Sequence, residues 1–262
     1  MLLAIDIGNT NIVFGIFEGD DLAVSWRLAT LRDRTADELW VLVNRLFAEG
    51  EIDVSGIDGV VMASVVPTLT RTVSEMVARG LDRSILSVNA GNAGLAIEYE
   101  TPDDVGADRL VNAVAALRLY GAPRRSVVVV DFGTATTFDA ISAGGAYRGG
   151  VICPGVEISA DALFQRAARL PRVDVRKPEE LIGRTTVGSI QSGLFFGYVA
   201  MVEGIVSRMR AELSGDGSTT ICIATGGLAR VIADETDAID EVQPDLTLAG
   251  LRFVWERNTQ MG

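Results

Sequence analysis

Two aspartates in this chain close apolar runs and are followed at once by glycine and small hydrogen-bonding residues. Asp6 stands in Ala4-Ile5-Asp6-Ile7-Gly8-Asn9-Thr10-Asn11-Ile12-Val13, and Asp131 in Asp131-Phe132-Gly133-Thr134-Ala135-Thr136, after the β-branched run Ser126 to Val130. One D-x-G alone reads as a turn whose carboxylate caps the next N–H groups. Its recurrence in the same setting points to a shared task. Backbone N–H groups with Asn and Thr side chains can grip a polyphosphate without lysine. Carboxylates repel phosphate oxygens, so their natural role is to hold a hard cation or its waters. A third signal, Ala224-Thr225-Gly226-Gly227, falls between an apolar strand at 220–223 and a short helical pattern from Leu228. Paired glycines there let a ligand approach backbone N–H groups. Together the three read as a nucleotide–metal site. A further aspartate, Asp108, lies in Val105-Gly106-Ala107-Asp108-Arg109 at the start of a helical pattern. It is either a first-turn acid favoured by the helix dipole or a general base beside an anion-binding arginine.

Composition narrows the chemistry. The 262 residues contain no histidine, which excludes imidazole bases, phosphohistidine and imidazole metal ligands. Lys177 is the single lysine among 23 basic residues and lies outside any G-x-x-x-x-G-K-[ST] pattern, so a Walker-type loop is excluded. A net charge of −12 argues against nucleic-acid or anionic-membrane binding. Cys153 and Cys222 are too few and too isolated for a disulfide framework or a thiolate metal site, and read as small hydrophobes. No leader pattern precedes Asp6, and the apolar stretch Gly193 to Val202 is closed by Glu203, short of a membrane span. A cytoplasmic protein is expected.

The positioning elements follow from periodicity. Strands are expected at 2–7, 11–17 and 22–29, with a turn at Glu18-Gly19-Asp20-Asp21. Thr35-Ala36-Asp37-Glu38 is a capping box opening a helix that Gly50 stops. A strand at 59–64, a helix from Pro67 to Arg79, a strand at 84–88 and a helix from Ala107 to Tyr120 follow. Pro123-Arg124-Arg125 then reads as a linker, after which the pattern restarts; Gly19 and Gly144 each lie thirteen residues beyond their Asp. A duplicated α/β domain with a boundary near residue 122 is expected, the halves facing across a cleft. A long helical pattern from Val187 to about Glu212, with Thr185 or Thr186 as N-cap, carries Gly193, Gly197, Ala200 and Gly204 as a small-residue ridge. Several interior glycines, each costing about 1 kcal/mol against alanine, imply close packing of another backbone, best read as a subunit interface.

On these residues the chain resembles the type III pantothenate kinases of bacteria, within the acetate/sugar kinase, Hsp70 and actin superfamily. The resemblance runs from Met1 to about Asn258 through D-I-G-N-T-N at 6–11, G-A-D-R at 106–109 and D-F-G-T-A-T at 131–136, then G-G-V-I-C-P-G at 149–155, L-P-R at 170–172, I-G-R-T-T at 182–186 and A-T-G-G at 224–227. It implies two ribonuclease H-like (actin-like ATPase) domains, 1–122 and 123–262, each a mixed sheet flanked by helices with a cleft between. It also implies ATP-dependent phosphorylation of the pantothenate primary hydroxyl, the first step toward coenzyme A. Residue by residue, Asp6, Ile7, Gly8, Asn9, Thr10, Asn11, Ile12 and Val13 would form the first phosphate loop. Thr134 would touch ATP, with Gly226 and Gly227 from the residue reading beside it. Asp108 would accept the hydroxyl proton, and Tyr99, Gly106, Ala107, Asp108, Arg109 and Thr186 would hold pantothenate. Asp131 would bind a monovalent cation, K+ or NH4+, and Asp6 would hold Mg2+ directly or through water. A homodimer is implied, which suits the glycine ridge. The chain departs from the family at Arg184-Thr185, where members commonly have Lys-Asn. Two other readings are another phosphotransferase or polyphosphate hydrolase with the same ATP site, and a catalytically silent relative with a regulatory role.

Overall fold

The computed structural model describes residues 1–167 and 170–260. The chain divides into two compact units, Met1–Arg118 with Asp245–Gly262, and Leu119–Pro244.

In the first unit β1 (Leu2–Ile7), β2 (Asn11–Glu18), β3 (Asp21–Ala29), β4 (Gly59–Ser64) and β5 (Ile85–Ser87) form a sheet in the order β3-β2-β1-β4-β5. The β1–β2 and β2–β3 pairs are antiparallel, whereas β1–β4 and β4–β5 are parallel. β1 is therefore a central strand, and its nearly continuous burial is what a run of Leu2-Leu3-Ala4-Ile5 predicts. Helices α1 (Ala36–Glu49), α2 (Pro67–Gly80), α3 (Ala107–Tyr120) and the terminal α7 (Leu246–Thr259) complete the unit, with a two-residue strand β6 (Ala96–Ile97). The capping box at α1 is formed on both sides, Thr35 accepting from the Glu38 N–H and Glu38 from the Thr35 N–H. Such an N-cap is worth about 1 kcal/mol. Leu39, Val43 and Phe47 of α1 and Leu69, Val73 and Val77 of α2 pack on Leu3, Ile5, Ile7, Ile12 and Phe14 of the sheet. Each such side chain contributes roughly 1.5–3 kcal/mol by burial.

The second unit repeats the plan. β7 (Arg125–Phe132), β8 (Ala135–Ile141), β9 (Ala146–Pro154), β10 (Thr219–Gly226) and β11 (Glu241–Val242) run in the order β9-β8-β7-β10-β11. Again the first two pairs, β7–β8 and β8–β9, are antiparallel and the β7–β10 and β10–β11 pairs parallel. Helices α4 (Val156–Arg166), α5 (Thr186–Leu213) and the short α6 (Ala229–Ala233) belong here. α5 is long and apolar enough to cross a membrane by length and composition. Leu194, Phe195, Tyr198, Val199, Val202 and Val206 instead pack it into the core of this unit.

Two details differ from the sequence reading. The turn between β8 and β9 takes its left-handed residue at Gly145 (φ 83°), one position after the Gly144 that matches Gly19 (φ 61°) in spacing. The terminal helix also groups with the first unit, whereas a boundary near residue 122 would leave it with the second. Its buried Leu246, Leu248, Leu251 and Val254 dictate this, with Leu248 lying against Gly15 of β2.

Candidate active site

In each unit the D-x-G aspartate lies at the C-terminal end of the central strand, where a parallel α/β arrangement leaves its crevice. Asp6 pairs in register with Val13 on one side and Ala63 on the other, and is half-buried. Beyond it the chain turns through Gly8-Asn9-Thr10, closed by the Gly8 N–H donating to the Asn11 carbonyl at 2.9 Å. The last residues of the β3 hairpin brace this turn. Thr30 Oγ1 donates to the Gly8 carbonyl at 2.7 Å, and the Thr30 N–H to the Thr10 carbonyl at 2.9 Å. Asn9 and Thr10 are exposed, Asn9 Oδ1 accepting from Arg32 at 3.3 Å, while Asn11 and Val13 are half-buried. Ile7 and Ile12 are fully buried in the core, so only their backbone is available to a ligand.

The neighbouring parallel strand β4 ends beside the head of α3. Val65, just past β4, donates its N–H to the Ile7 carbonyl at 3.1 Å. Its Cγ1 stands 3.5 Å from where a Gly106 Cβ would be, so the Asp6 turn and the head of α3 share this wall. Such a Cβ would also lie 2.5 Å from Asp108 Oδ1, which makes glycine the residue that leaves the carboxylate in place. Asp108 is half-buried in the first turn of α3, following the buried Ala107, and accepts the Arg109 N–H at 2.8 Å. Burial pushes its carboxyl above the ordinary aspartate range, against the opposing pull of that N–H and of the Arg109 charge. Carboxyls raised in this way recur among proton acceptors. Arg109 itself is 9% exposed.

In the second unit, Asp131 is half-buried near the end of β7, and the turn after it is shorter, Gly133 donating its N–H to the Ala135 carbonyl at 3.1 Å. Thr134 is exposed in that turn. Gly226 ends the adjacent parallel β10 at φ 90°, where an added Cβ would lie 2.6 Å from the Phe132 carbonyl oxygen and 2.8 Å from Asp131 Oδ1. The Gly227 N–H donates to that same carbonyl at 3.2 Å. Asp131, Gly226 and Gly227 thus lie together at one strand end.

Two supports were not read from sequence. A Cβ on Gly155 would sit 2.2 Å from the Thr134 carbonyl oxygen, so the head of α4 rests on the Asp131 turn backbone to backbone. The only signal for it was the glycine that ends the G-G-V-I-C-P-G motif. The other is Thr30, a threonine at a strand end that spacing does not single out.

The residues assigned to pantothenate divide between the units: Tyr99, which is exposed, and Gly106 to Arg109 in the first, Thr186 in the second. Thr186 is the exposed first residue of α5, and Thr185 is its N-cap, accepting the Gly188 N–H at 3.0 Å. Arg184 pairs with Glu180 at 3.2 Å beside a cavity of about 440 Å³ lined also by Arg176, Lys177 and Gln191. The Arg184-Thr185 departure therefore has a local structural use at the helix start. Of the cysteines, Cys222 is buried and its thiol is pushed up to about 12, mainly by that burial, while Cys153 is half-buried.

A sequence profile of the family described as "Type III pantothenate kinase" matches residues 2–208. The type III pantothenate kinase of Moorella thermoacetica is 52% identical over 260 residues, covering 99% of this chain and 100% of the relative. That of Syntrophotalea carbinolica is 50% identical over 259 residues, covering 98% and 99%. Among solved structures, the inorganic polyphosphate/ATP-glucomannokinase of Arthrobacter sp. strain KM aligns over 99% of this chain and 98% of its own, with a TM-score of 0.50. At 16% identity that likeness speaks to fold alone.

Proposed function

Because this chain belongs to the type III pantothenate kinase family, we propose that it transfers the γ-phosphoryl group of ATP to the primary hydroxyl of pantothenate. The observation that carries the reading is Asp108, a half-buried carboxylate fixed by the Arg109 N–H and held above the ordinary carboxyl range by burial. In the transfer the hydroxyl oxygen forms a bond to the γ-phosphorus and the bond from that phosphorus to the β,γ-bridging oxygen breaks. ADP leaves with the electron pair, and the hydroxyl proton passes to the Asp108 carboxylate. A loose phosphoryl-transfer transition state asks for positioning and charge neutralisation more than for a strong base.

In this reading residues 6–13 grip phosphate through the turn N–H groups and the side chains of Asn9, Thr10 and Asn11. Thr134, Gly226 and Gly227 serve the nucleotide from the second unit. A kinase of this family uses ATP with a divalent cation. Among the described residues there is no group of three metal-ligating side chains, so Asp6 would contribute one hard oxygen while phosphate and water supply the rest. Magnesium suits that donor set and would neutralise charge on the phosphates. Asp131 would hold K+ or NH4+. Tyr99, Gly106 to Arg109 and Thr186 would hold pantothenate, Arg109 offering charge to its carboxylate.

We further read the protein as a cytoplasmic homodimer. The face of α5 bearing Gly193 and Gly197 is open, with nothing within 4 Å of an added Cβ at either position. In the same unit Leu181 is 63% and Ile182 80% exposed, which suits burial against a second copy.

Purified protein given ATP and pantothenate should release ADP in step with phosphopantothenate. Turnover indifferent to pantothenate would refute the substrate. Asp108→Asn should reduce phosphopantothenate formation by about 10²–10⁴-fold with ATP binding retained; wild-type turnover in that variant would remove Asp108 from its role.

A further inference from the structure

We infer that α7 is a positioning element for Asp108, acting through Gly250 and Thr247 on the second turn of α3. The inference rests on Asp108 being the proton acceptor. The family profile stops at residue 208, so α7 lies beyond it, and the residue reading assigned α7 no role.

The contact between the two helices is made by backbone. Gly250 is buried, and a Cβ there would lie 2.0 Å from the Val111 carbonyl oxygen, 2.6 Å from its carbon and 3.1 Å from its Cα. One turn earlier in α7, Thr247 Oγ1 donates to Asn112 Oδ1 at 2.8 Å, and Asn112 is 1% exposed. Asn112 is four residues after Asp108 and Val111 three, so both lie on the Asp108 side of α3, about one 5.4 Å pitch further on.

α7 can act as a clamp because it is itself fixed to the sheet of the same unit. Leu248 fills the space over Gly15, the Trp255 ring lies over Gly59, and Asn258 Nδ2 donates to the Asn92 carbonyl at 3.0 Å. These fastenings engage β2, the start of β4 and the 89–94 loop. The helix therefore refers the second turn of α3 to the strands that carry the Asp6 turn. A helix turn is stiff, so displacing Val111 and Asn112 carries Asp108 with them. The glycine sets the helix separation, and the Thr247–Asn112 bond sets the rotation of α3 about its axis.

The test uses the full-length protein and compares Thr247→Val with Thr247→Ser. The valine keeps the shape and removes the hydroxyl; the serine restores it. The expected result for Thr247→Val is a loss on the order of tenfold in kcat, an unchanged KM for ATP and a displaced acid limb of the pH–rate profile. Thr247→Ser should recover kcat to within about twofold of wild type, since it restores the donor. Gly250→Ala should lose on the order of 10²-fold, as misplacement by about 1 Å does. If that variant does not fold, the Thr247 pair decides. Wild-type kcat and pH profile in Thr247→Val would overturn the clamp. So would equal losses in the two Thr247 variants that follow their melting temperatures. Asp108→Asn serves as the control: retained turnover there overturns the Asp108 reading and the clamp together. Full loss in Asp108→Asn beside an unaffected Thr247→Val overturns the clamp alone.

Discussion

Gly226→Ala is a stringent check on the Asp131 cluster because the structure fixes both its direction and its size. Gly226 has φ 90°, and an added Cβ would meet the Phe132 carbonyl oxygen at 2.6 Å, its carbon at 2.7 Å and Asp131 Oδ1 at 2.8 Å. A side chain at left-handed φ costs about 1–2 kcal/mol. Relieving the overlap with Phe132 costs a further 1–3 kcal/mol or so, because the obstructing atoms belong to the central strand β7 and have little room to shift. The sum is about 2–5 kcal/mol, and at roughly 2–4 °C per kcal/mol for a chain of this size the melting temperature should fall by about 4–20 °C. Of the three atoms crowded, the Asp131 carboxylate moves most easily, so activity should suffer beyond what stability explains: the KM for ATP rises and activation by K+ weakens. Gly227→Ala is the matched control, since nothing lies within 4 Å of a Cβ at that position. Thermal melts and ATP titrations at several K+ concentrations, run on both variants below the lower melting temperature, make the comparison. If Gly226→Ala and Gly227→Ala melt alike and share wild-type K+ dependence, the argument that Gly226 makes room for the Asp131 carboxylate is wrong.

Two further outcomes are expected. Burial raises the Asp108 carboxyl, so the folded state holds this proton more tightly than the unfolded chain does. The resulting stability is present below the unfolded pKa and is lost as pH rises through the folded one. Asp108→Asn should therefore melt above wild type at neutral pH while inactive, with the gap closing toward about pH 4, near the unfolded aspartate pKa; melts across that range would expose the opposite sign. On the open face of α5, Gly197→Arg should convert a dimer to a monomer in light scattering after size exclusion, and an unchanged mass would move the subunit contact elsewhere.

Much of the fold was legible because local signals agreed with tertiary burial. The Thr35 capping box, Pro67 at the head of α2 and the β-branched runs ending at Asp6 and Asp131 each named an element that the structure contains. For these two strands the residue pattern is sufficient because each is central and carries an unbroken apolar run up to its aspartate. The terminal helix was not legible. Its N-cap, Asp245, makes no side-chain capping bond, and the spacing of Leu246, Leu248, Leu251 and Val254 does not say which sheet they cover. That choice is made by long-range fit, in the hollows left by Gly15, Gly59 and Gly250, which a single sequence shows only as glycines. The same holds for Gly155, whose reason is a carbonyl more than twenty positions earlier.

The two D-x-G turns show why a repeated motif need not mean repeated duty. Both end a central strand, yet the first spans three residues, Gly8-Asn9-Thr10, and the second only Gly133-Thr134. The longer turn puts two polar side chains in solvent and is steadied from below by a hydroxyl, Thr30 donating to the Gly8 carbonyl. In the proposed function its exposed Asn9 and Thr10 would face phosphate. The shorter turn is steadied by backbone, with Gly155 against Thr134 and Gly227 bonded to Phe132. It is the shorter of the two, and the missing Cβ of Gly226 leaves room for the Asp131 carboxylate. In the proposed function the first turn would therefore be the phosphate grip and the second the seat for a weakly hydrated monovalent ion. The duplicated fold supplies two carboxylates in equivalent places, and on that proposal one extra loop residue would be what separates their tasks.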